Sequence, residues 1–176
     1  MRVANALATA LSMAVFLPAV HAAQVAPPKA AVFPFELDDT SLQGSMKGQD
    51  PDDLARLARL DAQLRDALAR SGRYTPVEVP AEPGGRTLWS CNGCEVDRAR
   101  KAEAAFAVVG WVQKVSNLIL NINLVIRDVA TGERVAGGSV DIRGDTNESW
   151  TRGLSYLLRN RILTGEATPY TNRQRL

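Results

Sequence analysis

Histidine is all but missing from this chain of 176 residues, and its single copy, His21, lies in a segment that reads as a leader. Arg2 supplies a charged start, Ala6 to Val20 are mostly apolar, and Val20-His21-Ala22 offers small residues where a signal peptidase reads. Residues 1–22 are therefore expected to be a signal peptide, with the mature chain starting near Ala23. Without an imidazole, that mature chain is excluded from Ser/His and Cys/His catalysis, from histidine-ligated metal and from covalent c-type haem.

Other absences narrow the field further. No G-x-S-x-G occurs, and the nearest approach, Gly137 to Asp141, lacks the last glycine. None of the four lysines follows a serine by three residues, and neither a P-loop nor G-x-G-x-x-G appears. A bilayer span needs about 20 apolar residues. The best stretch after the leader, Leu118 to Ile126, is interrupted by Asn121 and Asn123. No cysteine lies near the cleavage site to carry a lipid anchor. The formal net charge is +2 and includes Arg2, so there is no basic stripe for a phosphate backbone. These absences predict a protein with no catalytic residues, cofactor, metal, nucleic-acid partner or transmembrane segment, exported to a bacterial periplasm.

What is present is an ordinary globular composition, 45% hydrophobic and 23% charged, enough for one domain. Residues 23–29 form an extended leader. Ala30 to Leu37 reads as a first strand, with Pro34 marking an edge or an early end. Asp38 to Gln49 is a polar loop. Asp50-Pro51-Asp52-Asp53 is a helix start, the aspartates serving as cap and dipole partners. Leu54, Leu57, Leu60, Leu64 and Leu68 then recur on one helix face, and Gly72 ends the run. Tyr74 to Val79 is a second strand, and a second helix opens at Cys91 and runs to about Ala104. From there the period becomes two. Phe106–Ser116, Leu118–Asp128 and Glu133–Arg143 read as an antiparallel meander, with turns at Ser116-Asn117 and Ala130-Thr131-Gly132. Asp145 with Glu148 suggests a capping box for a last helix carrying Trp150, Leu154, Leu157, Leu158 and Ile162. The polar stretch 164–176 is expected to be a flexible tail. The predicted fold is α+β: a single domain over 30–163, ordered β-α-β-α-β-β-β-α, with the meander's apolar face covered by three helices around one core.

Several of these segments carry a resemblance. Pro34 and Phe35, Val77 and Glu78, Val109 and Gly110, and Asp128, Thr131 and Gly132 are similar to the pattern of the TolB amino-terminal domain and its curli-secretion-lipoprotein relatives. The Cys91-x-x-Cys94 segment, the V-Q-K-V-S-N-L-I-L stretch and the D-I-R-G…E-S-W ending more closely resemble a family of exported bacterial proteins of unknown function. The resemblance implies an α+β envelope domain with an accessory role, in the setting of quinoprotein alcohol oxidation. Because a propeller and a pore-forming segment are missing, it implies neither translocation nor channel activity.

Two sets of residues are candidates for function. Cys91 and Cys94 are close enough to form a disulfide in an oxidising compartment, where the bridge would fix the start of the second helix. The alternatives are a thiol–disulfide redox pair at a helix N-terminus and a shared thiolate metal site. The second set lies on the meander. If the even-numbered residues from Leu118 to Ile126 face the core, then Asn121, Asn123 and Arg127 face away. Gln113 joins them from the preceding strand, with Lys114 and Asn117 at the hairpin edge. Amide side chains offer donors and acceptors together, and asparagine is a poor strand former. These six residues are the expected binding face for another envelope protein, unless hydrogen bonds within the domain account for the asparagines. Trp111 shares the parity of Gln113 and suits either a partner or a covering helix. Asp38 and Asp39 are adjacent and read as turn formers rather than a catalytic pair.

Overall fold

A computed structural model describes residues 26–81 and 87–164. The expected signal peptide at 1–22 and the tail from 165 onward lie outside the described residues. The strands are β1 (Lys29–Val32), β2 (Glu36–Asp39), β3 (Thr75–Glu78), β4 (Phe106–Ser116), β5 (Ile119–Asp128) and β6 (Arg134–Ile142). The helices are α1 (Leu42–Lys47), α2 (Pro51–Arg70), α3 (Cys94–Lys101) and α4 (Asn147–Leu157), and α4 runs into a π-helical turn at Leu158–Ile162. One mixed sheet in the order β3-β1-β4-β5-β6, with β2 also beside β4, makes this a single α+β domain. The expected meander is antiparallel, whereas β1, β2 and β3 join in parallel.

The expected first strand is two strands, and the reason is local. Val32 lies opposite Val108 and Glu36 opposite Trp111. The segment between them thus holds one residue more than β4 does, and Pro34 has no N–H to give the ladder. The extra residue inverts the parity. Ala31 and Phe33 bury on one face of the sheet, while Phe35 buries on the other. Pro34 therefore marks an early strand end; β1 itself is interior, between β3 and β4. Phe35 settles against Gly110, where an added Cβ would come within 2.4 Å of the ring. The Pro-Phe and Val-Gly motifs that carried the resemblance are thus two sides of one contact.

The main core lies between the sheet and helices α2 and α4. Val108, Val112, Leu120, Ile122, Leu124 and Ile126 meet Leu57, Leu60, Leu64, Leu68, Trp150, Leu154 and Leu157. Each such aliphatic contributes about 1.5–3 kcal/mol on burial. Two leucines depart from expectation. Leu54 is exposed, because the buried stripe of α2 runs through Asp53 instead. Leu118 is 71% exposed, since it sits in the hairpin turn rather than in β5.

A single core with three helices on one face is also corrected. Helix α3 packs on the opposite face, where Val96 and Ala99 join Ala31, Phe33, Ala107 and Val109 in a second cluster. That helix starts at Cys94, not Cys91, because Asn92 and Gly93 adopt positive φ and form a turn. The expected polar loop contains α1, capped by Ser41, whose hydroxyl accepts from Gly44 N. Helix α4 is capped by Thr146, which accepts from Ser149 N, so the Asp145–Glu148 capping box is absent. Asp145 is turned inward.

Candidate interaction face and the charge cluster behind it

Helix α3 and the turn before it cover only part of the sheet's second face. Glu36 on β2 accepts hydrogen bonds from Leu88 N at 2.8 and 2.9 Å and from Trp89 N at 3.4 Å, which holds that turn in place. Trp89 stacks on Trp111, with centroids 6.0 Å apart and planes 19° from parallel. The tryptophan that parity placed among the amides is therefore covered by a turn. Beyond it, among the described residues, the sheet is open at Gln113, Val115, Ser139 and Asp141, all exposed.

The expected binding residues divide. Gln113 is exposed and reaches Asp38 Oδ2 at 3.4 Å. Asn121 donates to Asp141 Oδ1 at 2.8 Å and accepts from Ser139 at 2.7 Å. A cross-strand network within the domain thus accounts for one of the two unfavourable asparagines. Asn123, flanked by Trp111 and Ser139, is half-buried and has no side-chain hydrogen bond among the described residues. Arg127 bridges to α3 through Glu95 Oε1 at 2.9 Å and donates to Gly132 O at 3.2 Å. Asn117 is exposed at the hairpin end and donates to Gln43 of α1 at 3.0 Å.

Lys114 does not belong to this surface. Its even number gives it the parity of Val108 and Val112, so it points under the helices and is 1% exposed. The Nζ donates to Asp53 Oδ2 and to Asp145 Oδ2, each at 2.6 Å. Arg56 adds a bond to Asp53 at 2.7 Å and one to Asp145 at 3.2 Å, and Trp150 Nε1 donates to Asp145 at 3.0 Å. Two cations thus face two carboxylates in a closed cluster that ties the start of α2, the end of β4 and the approach to α4. Burial raises the Asp53 carboxyl above its ordinary value, and the hydrogen bonds from Lys114 and Arg56 offset only part of that. Burial disfavours the charged form of Lys114, but its hydrogen bonds to Asp145 and Asp53 outweigh burial and raise its pKa. Sequence reasoning took Asp53 as a helix cap and missed this cluster. The signal was there: Asp53 stands four residues before Leu57, on the buried face of α2.

At the same end of the sheet, apolar side chains face solvent. Leu42 and Met46, one turn apart on α1, are 76% and 75% exposed, and Val115, Leu118 and Ile119 of the hairpin are exposed with them. Helix α1 has no buried residue.

Cys91 and Cys94 are joined by a disulfide, as one of the sequence readings expected. The Glu95 carboxylate lies 3.4 Å from Cys91 Sγ and accepts from Gly93 N at 3.1 Å. Cys91, Cys94 and Glu95 bring their ligand atoms within 4.8 Å of one another, but neither bonded sulfur is a thiolate, so the three are a ligand set only after reduction. No helix among the described residues is long and apolar enough to cross a membrane.

Geometry alone defines the class: an α+β domain with helices on both faces of a mixed sheet and one corner of that sheet left bare by the described residues. The chain belongs to the DUF3280 family, described as a protein of unknown function (DUF2380), whose model matches residues 28–162. No curated protein matches the chain. Among solved structures it is similar to the LpoB C-terminal domain from Salmonella enterica, at 16% identity over 69% of this chain and 87% of that one, with a TM-score of 0.46. It is also similar to the PelC dodecamer from Paraburkholderia phytofirmans, at 17% identity over 78% and 83% of the two chains, with a TM-score of 0.44. TolB from Acinetobacter baumannii is similar at 14% identity and a TM-score of 0.43, over 75% of this chain and 28% of that one.

Proposed function

We propose that the protein is a non-enzymatic binding module of the bacterial periplasm that acts on another envelope protein. The observation that carries this reading is the bare corner of the sheet, where Gln113, Asn117, Asn121 and Asn123 adjoin an end rich in exposed aliphatics. Apolar side chains grouped in solvent mark interaction sites more often than a solvated surface does. Leu42, Met46 and Leu118 supply the apolar anchors, and the amides supply a polar rim. Arg127 serves this face indirectly, by fixing β5 to α3. The leader pattern of residues 1–22 and the disulfide support a periplasmic location. The family resemblance in the sequence supports quinoprotein alcohol oxidation as the setting.

The test is photo-crosslinking in the living bacterium, with a photoreactive residue in place of Leu118 or Asn123. Both positions are expected to give an adduct with one envelope protein, and Asp66 on the outer side of α2 none. Adducts from neither position, or an equal adduct from Asp66, would overturn the proposal.

A second reading rests on the carboxylate beside Cys91. Glu95 is placed to take up a proton if the disulfide is reduced, as a thiol–disulfide oxidoreductase would require. Insulin reduction by the purified protein, with dithiothreitol as the electron donor that first reduces the Cys91–Cys94 bridge, tests it. Turnover that Cys91→Ala abolishes would favour this reading, and absence of turnover would remove it.

A further inference from the structure

The opposite end of the sheet holds an open cleft of about 550 Å³ between the beginning of β6, the loop before β3 and the π-helical turn after α4. Three arginines from three separate elements line it: Arg73, Arg134 and Arg161. Asp128 is the only acidic residue among the described lining groups, and its Oδ1 is already engaged by the amides of Ala130 and Thr131 at 2.7 and 3.1 Å. Arg73 donates to Thr164 O at 3.2 Å and lies over the Tyr74 ring. Arg134 and Arg161 have no side-chain hydrogen bond or ion pair among the described residues. Behind them Tyr74 and Phe106, edge to face at 5.4 Å and almost fully buried, form a stiff floor.

The backbone is built around these two cations. Gly137 and Gly138 lie inside β6, paired with Val125 and Leu124, where glycine weakens a strand and often marks a close approach. A Cβ on Gly137 would come within 2.6 Å of Arg134 Nε and 2.7 Å of its Nη2. A Cβ on Gly138 would come within 3.0 Å of Arg161 Cγ and 3.1 Å of its Cβ. Each glycine thus seats one arginine against bare backbone. Arg161 is further placed by the π-helical turn, a distortion frequent at functional sites.

We propose that this cleft binds a small polyanion, a ligand carrying two or more phosphate or carboxylate groups. Guanidinium groups match both anions through paired N–H donors. The volume falls in the range of small-molecule sites, roughly 300–1,000 Å³, and exceeds what a single inorganic ion needs. The site lies away from the bare corner, so it stands or falls independently of the interaction proposed there.

The full chain would be titrated calorimetrically with pyrophosphate, citrate and sucrose at physiological salt. Saturable binding of pyrophosphate or citrate, with none of sucrose, is expected, and the tighter of the two identifies the anion type. Arg134→Gln and Arg161→Gln should each weaken it at least about tenfold at unchanged melting temperature, a loss of about 1.4 kcal/mol. Gly138→Ala alters no charge but displaces the Arg161 stem, so it should weaken binding too. Arg59→Gln, on the exposed side of α2, should leave it unchanged. Absence of saturable binding, or equal weakening by Arg59→Gln, would overturn the proposal.

Discussion

Replacing Lys114 by methionine keeps most of the side-chain length and removes one charge from a closed cluster. Both of its hydrogen bonds go to carboxylates at 2.6 Å, and Asp53 and Asp145 are almost wholly buried. After the change, two carboxylates share only Arg56. Breaking a buried pair by removing one partner costs about 3–5 kcal/mol, since the other charge stays buried and uncompensated. For a chain of this size each kcal/mol moves the melting temperature by about 2–4 °C, so a loss on the order of 6–20 °C is expected. Adding Asp53→Leu restores the balance, leaving Arg56 with Asp145 at 3.2 Å, and should recover part of the loss. The pH dependence follows from the raised Lys114 pKa. Because the folded value lies above the ordinary 10.5, the stabilisation is complete below pH 10.5 and fades as pH rises through the folded value. The gap between wild type and variant in urea titrations should close on that alkaline side. A loss below about 1 kcal/mol at neutral pH, the magnitude of a surface pair, would mean that Lys114 does not offset the two buried carboxylates.

Asp61→Asn should raise the melting temperature at pH 7, because burial holds the Asp61 carboxyl above 3.8 while the Phe35 N–H needs only an acceptor. A raised folded pKa makes its stabilisation complete below 3.8 and lost at neutral pH, so the advantage of the variant should vanish on acidification in a melting series. Gly110→Ala drives a Cβ into the Phe35 ring and should cost about 1–3 kcal/mol in urea unfolding, with relief from Phe35→Leu in the same chain. Protein isolated from the periplasm should begin near Ala23 and take up alkylating agent at Cys91 and Cys94 only after reduction, as read by intact mass. Removing the disulfide by Cys91→Ala with Cys94→Ala should cost about 2 kcal/mol, since the loop it closes is short.

Periodicity made much of the fold legible. The leucines from Leu57 to Leu68 and the even positions from Leu120 to Ile126 each repeat over several turns or pleats, so one misplaced residue does not obscure the face. Features that depend on a single residue were harder. One extra residue near Pro34 reverses the parity of the first strand, and no local pattern records which side of the sheet α3 will take. Lys114 was assigned by its nearness to the hairpin, when parity with Val112 put it inside; its partners lie 61 and 31 residues away in sequence. Leu54 was counted as core although it stands one step off the stripe that begins at Asp53, and Leu118 because it has the parity of Leu120, although the strand begins only after it. In the candidate face, the amides were legible from strand parity. The exposed pair on α1 was not, because a six-residue helix inside a polar loop leaves no sequence period to detect.

The most direct test of the binding role is sedimentation of the protein in gently solubilised envelope extract, followed with an antibody. Wild-type protein should travel in a complex larger than its own chain. Met46→Glu combined with Leu118→Glu should melt at the wild-type temperature, because both side chains are in solvent, yet travel as a free monomer. A wild-type protein that is already monomeric, or a doubly substituted one that keeps the complex, would contradict the account.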